Sequence, residues 1–110
     1  QEKIDQGARL AGQAVDLARR TFPEGHWGIH SAEAAVASCR WRRGDFIRAE
    51  PVLLASHRAI AEQMGESTPM YRSSVRELAQ LYEAWGRDEE AALYRSRLNG
   101  LTSSAERLPG

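Results

Sequence analysis

Two histidines in the stretch GHWGIH have the spacing of a metal site. His26 and His30 are four residues apart, and on one face of a helix this spacing lets two imidazoles bind the same ion. Cys39 and His57 would have to complete the ligand set, and no CxxC pair accompanies them. Capping and packing of the loop that holds His26 is the favoured interpretation, and we expect neither a metal nor another cofactor.

Three arginines surround a tryptophan in the stretch RWRRG, residues 40–44. Arg40, Arg42 and Arg43 could neutralise phosphates while Trp41 stacks on a base. However, basic residues are ordinary near the end of a helix. The whole chain has 15 basic and 15 acidic residues, so it lacks the positive charge typical of nucleic-acid binders. A helical regulator that binds nucleic acid is therefore only the alternative function. Under the favoured interpretation, which is given below, we expect no nucleic-acid partner.

Serines and histidines also raise the question of hydrolytic catalysis. No nucleophile elbow, glycine-rich phosphate loop or pair of carboxylates frames any of them. We therefore expect a protein that is not an enzyme.

The length and composition are those of one globular domain. A chain of 110 residues can bury roughly two thirds of its unfolded surface. Its single cysteine, Cys39, allows no internal disulfide, which favours a reducing, cytoplasmic setting. No apolar run approaches the roughly 20 residues of a membrane span. The sequence predicts a soluble protein without a membrane partner.

Hydrophobic residues recur with helical periodicity in five segments, and none alternates as in a strand. Turn residues separate the segments: Gly44 precedes the capping residue Asp45, and Pro69 suits the first turn of a helix. Pro51 predicts a mild bend or a late start of the third helix. The fold is predicted to be all-α, with helices over residues 3–21, 27–43, 46–64, 69–85 and 88–99, and with a flexible tail over 101–110.

The segments repeat with a period of 42 residues. This shift aligns Gly44 with Gly86 and Ala49 with Ala91. It also aligns Ser31 with Ser73 and Ala37 with Ala79. Small residues recur where helices approach closely, and turn residues recur between helices. This pattern is typical of helical hairpins that bury their apolar faces against their neighbours.

The stretches AEPVLLASHRAI and ELAQLYEAWGRDEEAALYRSRL resemble tetratricopeptide repeats of the kinesin-light-chain type. More narrowly, they are similar to the last repeats of arrays attached to bacterial serine/threonine kinases and related signalling proteins. The resemblance covers residues 1–100 and implies antiparallel hairpins stacked as a right-handed superhelix of about five helices. It implies the second helix of one repeat, then full hairpins over 27–64 and 69–99. Arg40 stands where the family often has a tyrosine, whereas Tyr82 fits.

In arrays that this chain resembles, the first helix of each pair lines a concave groove. The residues that this register places there are Ser31, Ala34, Ser38, Trp41 and Arg42 from the second helix, with Ser73, Arg76, Gln80 and Glu83 from the fourth. The resemblance implies a non-catalytic scaffold that binds a protein or peptide partner through this groove. The other interpretation, that these positions are simply solvated, stays open.

The first helix is expected to turn Ile4, Ala8, Ala11, Ala14, Leu17 and Ala18 toward one side. Without a hairpin partner it would still expose Leu10, Ala14 and Leu17, which predicts either upstream repeats or self-association through this helix. The second helix is expected to bury Ile29, Val36, Ala37 and the alkyl part of Arg40. Trp85 is expected to belong to the core, and Trp41 to lie nearer the surface.

Overall fold

The computed structural model describes residues 2–107, including the side chains of residue 3 and of residues 5–101. Its helices are α1 (Glu2–Thr21), α2 (Trp27–Arg42), α3 (Phe46–Met64), α4 (Pro69–Trp85) and α5 (Asp88–Arg107). Within the described part there is no strand, so the predicted all-α class is confirmed. No helix in that part is long and apolar enough to cross a membrane.

The starts of α3 and α4 follow from local side-chain chemistry. The Asp45 carboxylate accepts a hydrogen bond from the backbone N–H of Arg48 at 3.4 Å. At the start of α4, Thr68 Oγ1 accepts one from the N–H of Tyr71 at 3.2 Å, and Pro69 is the first helical residue. Each bond satisfies one of the N–H groups that the first turn of a helix leaves without a partner.

The two glycines that are 42 residues apart both lie just beyond the end of a helix. Gly44 and Gly86 have backbone φ values of +94° and +78°, which residues with a Cβ atom rarely adopt. Gly86 directly follows α4, and its N–H bonds back to the carbonyl of Glu83 at 3.3 Å. The predicted ends of the second and fourth helices are thus confirmed to within one residue. Pro51 lies inside α3 and does not delay its start.

The fifth helix is longer than predicted. It was expected to end at about residue 99, with a flexible tail over 101–110, but α5 continues past Gly100 to Arg107. The reason is a continued apolar stripe, since Leu98 is buried and Leu101 packs against the same cluster. The last three residues of the chain lie outside the described part.

Helices that are neighbours in sequence are also neighbours in space. The packed pairs are α1 with α2, α2 with α3, α3 with α4 and α4 with α5. This order agrees with consecutive hairpins joined by short loops. Stacking as a right-handed superhelix stays a prediction.

Small residues allow the helices to approach closely, as the repeat predicts. Ala37 and Ala79 are fully buried, and so is Ala49; Ala91 is 7% exposed. Ala37, Ala49 and Ala91 belong to one core cluster shared by α2, α3, α4 and α5. Large side chains fill the space around them, among them Leu53, Leu78, Leu81 and Tyr82. Trp85 packs against this cluster, which confirms its predicted place in the core.

The outer helix α1 buries a narrower stripe than predicted. Its buried hydrophobic side chains are Ala11, Val15 and Ala18. Leu10 and Leu17 are 65% and 61% exposed, and Ala14 is exposed as well. The expectation that Ala14 and Leu17 share the buried side is therefore wrong, because that stripe passes through Val15 instead. The expected exposure of Leu10, Ala14 and Leu17 is confirmed, and the Ile4 side chain lies outside the described residues.

The buried side of α2 also differs from the prediction at one position. Ala37 is buried, and Ile29 and Val36 are half-buried, whereas Arg40 is exposed. Burial of the charged guanidinium would require a partner, and none of the described acidic side chains pairs with it.

Candidate partner-binding cleft

A cleft of about 310 Å³ opens between α2 and α4, and α3 forms its floor. Four small side chains of α2 form one wall, and α4 contributes the other. The lining residues are Ser31, Ala34, Ala35 and Ser38 from α2, Leu53, Ser56 and Ile60 from α3, and Pro69, Met70, Ser73, Ser74 and Glu77 from α4. We call this the α2–α4 cleft.

Glu77 ties the two walls of the cleft together. Its Oε2 atom accepts hydrogen bonds from Ser38 Oγ at 2.6 Å and from Trp41 Nε1 at 2.7 Å. Arg42 Nη1 lies 4.0 Å from the same oxygen. The Glu77 side chain is 23% exposed, so this carboxylate is only partly hydrated and depends on its donors. The contacts hold Ser38 and Trp41 on the side of α2 that faces α4.

The structure brings together some of the predicted groove residues and leaves others apart. Ser31, Ser38 and Ser73 line the α2–α4 cleft. Trp41 and Arg42 reach its edge through Glu77.

Arg76, Gln80 and Glu83 are exposed on α4, and none of them lines the cleft. Glu83 Oε1 accepts a hydrogen bond from Arg95 Nη2 of α5 at 2.5 Å. That contact directs the Glu83 carboxylate toward α5 rather than toward α2.

Sequence reasoning missed Glu77, which is the most connected polar residue of the cleft. One signal pointed to it, since Glu77 lies four residues after Ser73 and therefore shares its helix face. Its donors are 36 and 39 residues away in the chain, so no local pattern identifies them.

A second polar network lies beside the cleft and centres on His57. Ser74 Oγ donates to the carbonyl of Tyr71 at 2.7 Å, so it accepts from His57 Nδ1 at 2.8 Å. His57 Nε2 then accepts from the Arg97 guanidinium, 3.5 Å away. Burial and the Arg97 charge lower the pKa of His57, and Glu66 opposes them. The network requires the neutral imidazole.

The histidine pair that suggested a metal site has other contacts. His26 Nδ1 accepts a hydrogen bond from the N–H of Gly28 at 2.9 Å, and the imidazole stacks on Phe22 with 4.3 Å between ring centroids. The predicted capping role of His26 is confirmed. His30 Nδ1 lies 3.7 Å from Glu33 Oε1. Over the described residues, no group of three or more His, Cys, Asp or Glu side chains could hold a metal ion.

The arginines around Trp41 do not form one basic surface. The guanidinium of Arg42 lies 4.8 Å from the centroid of the Trp41 ring, and Arg43 forms an ion pair with Asp5 of α1. Arg40 lines a different cavity, which α1, α2 and α3 enclose. The patch on which the nucleic-acid alternative depends is therefore divided between faces and partly neutralised.

No protein-family model matches the chain, and no curated protein sequence matches it. The resemblance to tetratricopeptide repeats stays a prediction.

Proposed function

We propose that this chain is a non-catalytic interaction module that binds an extended peptide segment of a protein partner in the α2–α4 cleft. The observation that carries the proposal is the convergence of Ser31, Ser38 and Ser73 on one open cleft whose floor is mainly apolar, with Leu53 and Ile60 beside the small side chain of Ser56. Hydroxyl groups can donate to peptide carbonyls and accept from peptide N–H groups. The apolar floor favours the side chains of the same segment.

The charges around the cleft favour a peptide of mixed polarity. Glu77 is already satisfied by two donors, so it does not demand a cation from the ligand. Arg76 is exposed on α4, three residues beyond the lining residue Ser73, and can pair with a carboxylate of a peptide that extends beyond the cleft. We infer a segment whose backbone lies along the serines, with an acidic residue near Arg76.

The repeat architecture supports the same function. Stacked helical hairpins of the tetratricopeptide type present an extended surface to peptides, and the helix order of this chain fits such a stack. A role as a scaffold in a cytoplasmic signalling protein is part of the proposal. Self-association through the exposed Leu10 and Leu17 of α1 is a separate property that this proposal does not require.

Peptides selected from a random display library against the wild-type chain test the proposal. Their dissociation constants are then measured by fluorescence anisotropy with wild type, Ser73→Trp, Arg76→Glu and Arg42→Glu. Ser73→Trp fills the cleft and is expected to weaken binding at least tenfold, while Arg76→Glu weakens acidic peptides selectively.

The matched control is Arg48→Glu, which places the same charge change on a side chain that is 77% exposed on α3. Its affinity is expected to equal that of the wild type. Equal affinities for all the variants would refute the proposal. So would the failure to select any peptide with a dissociation constant below about 1 mM.

A further inference from the structure

The floor of the α2–α4 cleft contains a buried polar residue, Ser56 of α3. It is 3% exposed and lies between Leu53 and Ile60, which are buried on the same face of the helix. Tyrosines apart, no other polar side chain in the described part of the chain is buried to this extent. A hydroxyl group that loses contact with water needs another hydrogen-bond partner. The partner of Ser56 therefore decides what this position does.

The described chain itself does not satisfy the Ser56 hydroxyl. A serine or threonine inside a helix can donate to the carbonyl four residues earlier, as Thr21 Oγ1 does at 2.7 Å. Ser74, which lines the same cleft, both donates and accepts a hydrogen bond. The Ser56 hydroxyl has no such bond with a described residue, and its oxygen is not fully enclosed. Its donor and its acceptor sites are available to a group that enters the cleft.

The repeat shows that this position does not require a serine. The 42-residue shift places Leu98 of α5 at the position of Ser56. Leu98 is buried in a cluster with Ile60, Tyr71 and Val75, so a large apolar side chain can occupy the equivalent place. Serine instead puts a hydrogen-bonding group on a floor that could have been wholly apolar.

The charges of the cleft favour a neutral ligand group at this depth. Glu77 is the one ionisable side chain among the described lining residues. Its Oε2 atom already accepts from Ser38 and Trp41, and Arg42 lies 4.0 Å from it. An ammonium group would have to compete with these donors, and a carboxylate would meet the Glu77 charge. Either ion would lose its hydration at Ser56 without gaining a free counterion.

The walls of the cleft carry a second available hydroxyl. Ala34 and Ala35 are on the α2 side, and Ser73 is on the α4 side. Ser73 is exposed, and its hydroxyl makes no hydrogen bond with a described residue. A carboxamide has a carbonyl acceptor and two N–H donors, so it can accept from one serine hydroxyl and donate to another. A neutral carboxamide therefore matches the hydrogen-bonding groups that the cleft offers.

We propose that the α2–α4 cleft selects a partner segment that carries a glutamine, and that the glutamine carboxamide binds the Ser56 hydroxyl. This inference rests on the peptide binding proposed above and adds the side chain that the cleft recognises. The methylene groups of the glutamine lie against Leu53 and Ile60, while its carboxamide accepts from Ser56 and donates to Ser73. A side chain of equal size without a polar end would leave the Ser56 hydroxyl without a partner, which costs affinity.

The test uses three capped pentapeptides that differ only in the central residue: acetyl-Ala-Ala-Gln-Ala-Ala-amide and its Glu and Met counterparts. Binding to the full chain is followed by NMR through the methyl signals of Leu53 and Ile60. The glutamine peptide is expected to shift these signals saturably and to bind about fivefold to tenfold more tightly than the other two. Equal affinities of the glutamine and methionine peptides, or no saturable shift with the glutamine peptide, overturn the proposal.

Ser56→Ala removes the hydroxyl and is expected to abolish the preference for glutamine over methionine. Because the hydroxyl makes no bond within the described chain, the variant should keep the melting temperature of the wild type. Ser74→Ala, which removes two hydrogen bonds, should lower it. The matched binding control is Ser96→Ala, at an exposed position of α5 outside the cleft, which should keep the preference.

Two results with Ser56→Ala contradict the proposal. One is a preference for glutamine that survives the substitution. The other is a fall in melting temperature as large as that of Ser74→Ala, since it would mean that the Ser56 hydroxyl has a partner inside the protein.

The peptides from the display selection separate this inference from the proposed function. They are expected to share a glutamine and to bind Ser56→Ala about fivefold to tenfold more weakly than the wild type. Selected peptides that bind both proteins equally, but bind Ser73→Trp weakly, overturn the role of Ser56 and leave peptide binding in the cleft standing. Selected peptides that Ser73→Trp does not weaken bind elsewhere, and both proposals then fail.

Discussion

Replacing Glu77 by alanine should loosen the contact between α2 and α4. The substitution removes the acceptor of two hydrogen bonds, from Ser38 Oγ at 2.6 Å and from Trp41 Nε1 at 2.7 Å. A hydrogen bond to a charged group contributes about 1.5–3 kcal/mol. Because the Glu77 side chain is 23% exposed, water recovers part of this loss. Two bonds at the low end of the range would contribute about 3 kcal/mol together, and hydration of the groups left behind reduces the expected loss to about 2 kcal/mol.

The assay is urea unfolding followed by far-UV circular dichroism and tryptophan fluorescence. A loss of about 2 kcal/mol lowers the melting temperature of a domain of this size by about 10 °C. The urea midpoint should fall with an unchanged slope. Gln80→Ala is the matched control, since Gln80 is exposed on the same helix and should change the free energy of unfolding by less than about 0.5 kcal/mol.

A double-mutant cycle of Glu77→Ala with Trp41→Phe isolates the hydrogen bond itself. The coupling energy is expected to be about 1 kcal/mol. A coupling near zero, or a loss for Glu77→Ala no larger than for Gln80→Ala, would refute the view that Glu77 ties α2 to α4.

Three further predictions use the same unfolding assay. Tyr82→Phe should cost about 1–2 kcal/mol, because it removes the hydrogen bond to Glu50. Burial is the main cause that raises the pKa of Tyr82 well above its ordinary value, and the hydrogen bond to the Glu50 carboxylate adds to it. The folded wild-type chain should therefore lose stability above about pH 10, and the Phe variant should not share this loss. Burial lowers the pKa of His57, so the unfolded chain binds more protons just below pH 6.5 than the folded one does. Stability should therefore be full above pH 6.5 and fall on acidification, and His57→Gln should show a shallower fall; parallel pH profiles would contradict this. Leu78→Ala should cost about 2–5 kcal/mol because Leu78 is fully buried, while Leu93→Ala, at 56% exposure, should cost under about 1 kcal/mol.

Local chemistry was enough to predict the helices. Asp45 and Pro69 mark the starts of α3 and α4, and Gly86 marks the end of α4. Each of these signals acts on backbone groups within a few residues, so it can be read in a short window of sequence. The end of α5 was missed because Gly100 resembles a stop signal, whereas packing of Leu101 against a distant cluster extends the helix.

The sequence by itself determined the all-α class, the positions of the joints between helices, and the repeat that aligns Arg40 with Tyr82. Only the tertiary structure decided which side chains meet. The contact of Glu77 with Ser38 and Trp41 depends on the distance and register between α2 and α4. Those quantities come from how buried alanines and leucines of several helices pack together, and packing is a property of the whole core.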